Sequence, residues 1–214
     1  MKKTLLSFVI ILLSIISCKK PAKETTHLMT ADSLSSPSGE YKLDISQSIV
    51  NWTGYKIEKS LNLNHFGTLS FREGTLNFKY SRLDSGILIV EVSSLKDEDE
   101  ENPGLNQKLT EHLKSKDFLD VNTYPTAVFT ITSSRNIEGI SDFNTELKGV
   151  LNLKNRTKNI SVRANVRIEK NTLHLHTEKF SLNRQDFGIT YEGISPILIT
   201  DDFDLQISIL AHLK

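Results

Sequence analysis

Of its 214 residues only one is cysteine, Cys18. That excludes an intramolecular disulfide and any cysteine-rich zinc site. Ten glycines and five prolines leave no room for a collagen-like or low-complexity backbone. Neither charge is in excess: 26 Lys and Arg balance 26 Asp and Glu. A nucleic-acid binder normally carries a clustered basic surplus, so this balance argues against that class. No apolar run reaches the roughly 20 residues a membrane-spanning helix needs. No Gly-x-Ser-x-Gly nucleophile elbow is present, and Asp186-Phe187-Gly188 stands without the glycine-rich loop or catalytic loop of a kinase. What remains is an ordinary globular composition, 38% hydrophobic and 24% charged, sufficient for one packed domain.

The first residues read as an address. Lys2 and Lys3 precede a short apolar run from Leu5 to Ile16, the pattern of a signal peptide. The run ends in Ile15-Ile16-Ser17-Cys18, which resembles the lipobox of bacterial lipoproteins. That resemblance implies a signal peptide over 1–17, cleavage before Cys18 and acylation of Cys18. Multiple acyl chains, at ~0.8 kcal/mol per buried CH₂, would hold the protein stably on a membrane. Lys19 stands where Asp signals inner-membrane retention in some bacteria, so the expected place is the outer membrane, facing the periplasm. Residues 18–39 contain Pro21, Pro37 and Gly39 with no hydrophobic period, and read as the lipidated cysteine plus a flexible tether.

The texture changes at Glu40, and 40–214 reads as one domain. Apolar residues alternate with polar ones, as in Val50/Trp52, Leu76/Phe78, Leu147/Gly149/Leu151/Leu153 and Phe203/Leu205/Ile207/Ile209. A period of two over short runs predicts half-buried strands, and many of them at this spacing predict an all-β sandwich or barrel. Turns are expected at Arg72-Glu73-Gly74, Asp84-Ser85-Gly86, Asn155-Arg156 and Glu169-Lys170-Asn171. One segment departs from this: Leu105, Leu109 and Leu113 form the stripe of a short helix after Asn102-Pro103-Gly104. With its long connection it is expected to cross one mouth of the barrel.

Three ordered stretches resemble the YceI-like lipid/polyisoprenoid-binding family. The most specific runs from Glu111-His112-Leu113 through Asp117-Phe118-Leu119-Asp120 to Tyr124-Pro125 and Phe129, with Leu119 in place of a usual Phe. The second is Gly149-Val150-Leu151 through Asn155-Arg156-Thr157-Lys158, where Asn155 replaces a common Gly. The third is Asn183-Arg184-Gln185-Asp186-Phe187-Gly188. Trp52-Thr53-Gly54-Tyr55 and His65-Phe66-Gly67 also fit the family's opening strands. The resemblance implies an extended, lipocalin-like antiparallel β-barrel of about eight strands, with an apolar channel for a long isoprenoid or similar amphiphilic lipid. It implies binding, sequestration or transport without catalysis or a cofactor. An isoprenoid quinone or a polyprenyl lipid would be the passenger, and a homodimer stays open because some members pair. The rival expectation is a structural or protein-interaction barrel filled by its own side chains.

The residues expected to line the channel are Trp52, Tyr55, Phe71, Phe78, Phe118, Tyr124, Phe129, Phe180, Phe187 and Tyr191, with His65 as a head-group contact. Strand alternation does not separate a channel wall from a filled core, since both face inward. His112 is expected to tie the helix to a loop. His174 and His176 share one strand face, but two ligands are too few for structural zinc, so no metal is expected there. The acidic run Asp97 to Glu101 lacks the spacing of a calcium loop and reads as a solvated loop. Arg184 and Asp186 are expected to pair or to bind backbone at a strand end.

Overall fold

A computed structural model describes residues 38–138 and 142–214. The expected signal peptide, Cys18 and the expected tether up to residue 37 lie outside the described residues. The described part forms ten strands and one helix: β1 (Gly39–Leu43), β2 (Ile49–Glu58), β3 (Leu61–Lys79), β4 (Arg82–Asp97), α1 (Pro103–Lys114), β5 (Thr126–Asn136), β6 (Thr145–Leu153), β7 (Arg156–Glu169), β8 (Thr172–Thr177), β9 (Phe180–Asn183) and β10 (Ile197–Leu213). A single 3₁₀ turn, Arg184–Phe187, follows β9.

Every pairing is antiparallel, and the strands from β2 to β8 follow one another around the sheet. β10 closes it. Its first part pairs with β2, from Ile197↔Glu58 to Ser208↔Ile49, and its second with β8, from Ser208↔His176 to His212↔Thr172. The result is an eight-stranded ring, which leaves its member strands fewer free edges to pair with other chains. β1 continues the line of β2 between β3 and β10, and β9 continues that of β8 along β10. This is the extended antiparallel barrel that the sequence led us to expect.

Two expected turns are not turns. Arg72-Glu73-Gly74 lies inside β3, where the register shifts between Phe71 and Glu73, and Asp84-Ser85-Gly86 lies inside β4. The chain reverses instead at Tyr80-Ser81, and likewise at Lys59-Ser60 and Lys154-Asn155. Each pair has two positive φ values, 51° and 60°, 50° and 69°, and 49° and 57° respectively. Two consecutive left-handed residues are the geometry of a type I′ hairpin, whose twist matches the flanking strands.

α1 begins where the sequence placed it. The Asn102 side chain accepts from the Gly104 and Leu105 amides at 3.0 and 3.2 Å, and Pro103 fills the first helical position. Leu105 is half exposed, so the stripe touches the body through its later residues. Past the helix, the Lys154 ammonium donates to the Phe118 carbonyl and fastens the connection to the β6–β7 turn. Among the described residues, no helix is long and apolar enough to cross a membrane.

The interior has two parts. Tyr41, Leu76, Leu83, Leu173 and Ala211 are packed at the end closed by β1, each at most 2% exposed. A smaller cluster of Val92, Ala127, Leu153, Phe187 and Ile189 lies at the helix end.

Candidate functional site

Between those packed regions the barrel holds an apolar cavity of about 200 Å³. Six of the expected residues line it: Trp52, Tyr55, Phe71, Phe118, Phe129 and Phe180. Strand alternation puts Trp52 and Gly54 on the same inward face of β2, and Phe71 on that of β3. Most of the remaining wall is aliphatic, Val50, Leu69, Leu88, Ile131, Leu147 and Val162 being examples, and Phe203 of β10 adds an aromatic ring that the sequence did not single out. Leu113 from α1, with Phe118 and Leu119 after it, forms the roof.

The other five expected residues do not touch the cavity, and each has a physical reason. Phe78 is buried in the packed end beside β1. Phe187 is 1% exposed and fills the smaller cluster at the other end. Tyr191 packs against His112 and Phe118, ring centroids 4.8 and 5.2 Å away, and so backs the roof from outside. Tyr124 closes the turn after the helix, its amide donating to the Asp120 carbonyl at 2.8 Å. His65 faces Asp99 across the strands, Nδ1 to Oδ2 3.0 Å, away from the cavity wall. His112 stacks edge-on to Phe118 and Tyr191, which ties helix to loop.

Few polar groups reach the wall. The buried Arg184 guanidinium donates to the carbonyls of Thr200, Ile189 and Ile199 at 2.8, 2.7 and 3.3 Å, and pairs with Asp201 at 2.9 Å. It therefore binds backbone, as expected, while Asp186 pairs with Lys158 at 2.6 Å. Thr200 and Asp202 stand beside it at the mouth. The Tyr55 hydroxyl donates to Asp204 Oδ2 at 2.6 Å, and that carboxylate pushes the phenol's pKa up. These groups form a polar rim over a hydrocarbon tube that is packed shut at the far end. His174 and His176 flank Leu175 from the outer face of β8, where His176 meets Ser208 and Gln206.

The acidic run is a correction. Asp97 ends β4 with its side chain fully buried, whereas the sequence suggested a solvated loop. The cause is Gly67. A Cβ there would lie 1.9 Å from the Lys96 carbonyl, so only glycine lets β3 press against β4 at this point. His65 Nδ1 and one carboxylate oxygen each of Asp97 and Asp99 consequently lie within 4.8 Å of one another.

A closed antiparallel ring around an apolar interior makes this a lipocalin-like β-barrel protein. More narrowly, the chain belongs to the YceI-like domain family, whose profile matches residues 41–211. Solved structures of similar fold include Burkholderia cenocepacia BcnA, at TM-score 0.58 and 16% identity, covering 78% of this chain and 98% of that one. A polyisoprenoid binding domain from Saccharophagus degradans, implicated in plant cell wall breakdown, aligns at TM-score 0.57 and 11% identity, covering 81% and 98%. Campylobacter jejuni YCEI protein aligns at TM-score 0.51 and 20% identity, covering 67% and 83%. At these identities the likeness is one of fold. Comparison with curated protein sequences finds no match.

Proposed function

We propose that the protein is a non-catalytic carrier that holds a long-chain isoprenoid or similar amphiphilic lipid in its barrel. The observation that carries this reading is the cavity itself: hydrocarbon walls, a polar rim at one end, and packing at the other. A lipid tail gains ~0.8 kcal/mol for each CH₂ it removes from water, so such a site needs few polar anchors. The Saccharophagus domain of like fold is a polyisoprenoid binding domain, which agrees with the same class of ligand. The lipobox-like end at Cys18 would tether the barrel to the bacterial envelope, on the outer membrane facing the periplasm. A tether raises the effective concentration of membrane-derived ligand at the mouth.

The test is mass spectrometry of what co-purifies. The barrel domain, beginning at Ser38, is expressed alone and purified without detergent. A stoichiometric apolar passenger in native and solvent-extracted spectra is expected. Gly54→Leu provides the internal control. A Cβ on Gly54 meets only Trp52, at 3.9 Å, so the added side chain fits the backbone and projects into the cavity. This variant is expected to fold and to lose at least ten-fold in retained lipid. A protein that stays empty after incubation with isoprenoid quinones and polyprenols would overturn the carrier reading and leave the self-filled interaction barrel.

A further inference from the structure

We propose that His65, Asp97 and Asp99 form a binding site for a divalent transition-metal cation at the rim of the barrel. The inference is independent of the lipid reading. It begins from an orphaned atom. Asp97 is a charged residue whose side chain is 0% exposed. Its Oδ2 accepts from the Glu100 amide and the Asn106 side chain, both at 3.0 Å. Its Oδ1 is buried and has no hydrogen-bond partner among the described residues. A buried carboxylate oxygen left unpaired is costly, and native proteins rarely keep one without a cation, a proton or water.

Oδ1 points at the right neighbours. His65 Nδ1 lies 3.9 Å from it, and the same nitrogen lies 3.0 Å from Asp99 Oδ2. Donors bound to one ion at ~2.1 Å stand ~3.0–3.4 Å apart, and the three atoms already lie within 4.8 Å of one another, so modest side-chain rotations would draw them onto one cation. Other bonds hold them from behind. Asp99 Oδ1 accepts from the Phe66 amide at 2.7 Å, and Asp97 is fixed by Asn106 and Glu100. A metal-bound carboxylate normally has such supporting hydrogen bonds.

The donor set selects the ion. One imidazole and two carboxylates suit Zn²⁺ or its first-row neighbours, while Ca²⁺ takes six to eight oxygens and Mg²⁺ prefers water and phosphate. Three protein ligands leave a position for water. Binding needs His65 in the tautomer that frees the Nδ1 lone pair. The rival explanation is a proton shared between Asp97 and Asp99: burial and the neighbouring Asp99 both raise the Asp97 pKa.

Zn²⁺ titration of the purified full chain decides between them. One Zn²⁺ per chain is expected by isothermal calorimetry, and Ca²⁺ at the same concentration gives no heat. His65→Gln and Asp99→Asn are expected to weaken binding at least ten-fold without changing the metal-free melting temperature. Asp97→Asn is the more direct probe, but it could disturb folding, so the other two variants carry the decision. His176→Gln serves as the control for adventitious binding at the outer face of β8 and is expected to leave affinity unchanged. No stoichiometric Zn²⁺ binding, or binding abolished by His176→Gln and kept in His65→Gln, would overturn the proposal in favour of the shared proton.

Discussion

Residue by residue, burial separates two kinds of inward side chain that the sequence shows as one. Leu76 and Leu173 are fully buried beside β1 and have no surface on the cavity. Replacing either by Ala removes packed methyl groups and should cost ~2–5 kcal/mol, read by denaturant melts, while lipid retention stays unchanged. Phe129→Ala should show the reverse balance, because that ring already borders open space: a smaller loss of stability, but altered passenger selectivity in the extracted lipid. Alternation along the strands made all these positions visible as inward-facing. It gave no means of dividing them, since wall and core share one face. Gly67 carried more information than its single letter suggested: a glycine between Phe66 and Thr68 marks a close strand approach, and that approach is what buries Asp97.

The surface charges answer to pH in a definite direction. Hydrogen bonds from Arg163 hold the Glu178 carboxyl below its ordinary range, and Ser161 with Arg135 does the same for Glu146. A carboxylate with a depressed folded pKa contributes stability that is fully present above its unfolded value and lost as pH falls through the folded one. Thermal midpoints should therefore hold steady from neutrality down to about pH 5 and decline below the ordinary carboxylate range. Glu178→Gln should soften that decline in scanning calorimetry.

At the scale of elements, the β3–β4 hairpin is where sequence reasoning went astray, whereas the turns expected around Asn155 and Lys170-Asn171 fall where the sequence put them. Three two-residue reversals adopt the left-handed pair of conformations with Lys59-Ser60, Tyr80-Ser81 and Lys154-Asn155, none containing glycine. Strand pairing imposes those angles on Lys, Ser and Tyr against local preference; of the six residues only Asn155 tolerates them readily. The eye goes instead to Glu73-Gly74 and Ser85-Gly86, whose glycines serve close packing. A Cβ on Gly86 would come within 2.7 Å of Leu76. Relief should be measurable: Tyr80→Asn with Ser81→Gly is expected to stabilise the protein by ~0.5–1 kcal/mol. Equilibrium unfolding in urea checks it, with the slope unchanged. The helix was legible because its signals are local, a capping Asn102 and a proline at the first position. The way its roof is held, by Lys154 reaching Phe118 and Tyr191 backing His112, joins residues far apart in sequence and leaves no local trace.

The whole molecule depends on β10, which is hydrogen-bonded to β1, β2, β8 and β9. Its partners include some of the first and some of the last strands of the barrel. Loop-closure entropy must be met before such distant pairings return stability, so folding should be slow, in the range of milliseconds to seconds. Stopped-flow refolding followed by Trp52 fluorescence would measure it. Timing then acquires a meaning. The curved sheet from β2 to β8 can form hairpin by hairpin, but the ring stays open until the segment Ile197–Leu213 arrives. During synthesis that segment follows every other strand of the ring off the ribosome. Until then the edges of β2 and β8 that β10 will cover stand unpaired and open to other chains, so a ribosome stalled before Ile197 would leave an aggregation-prone open sheet.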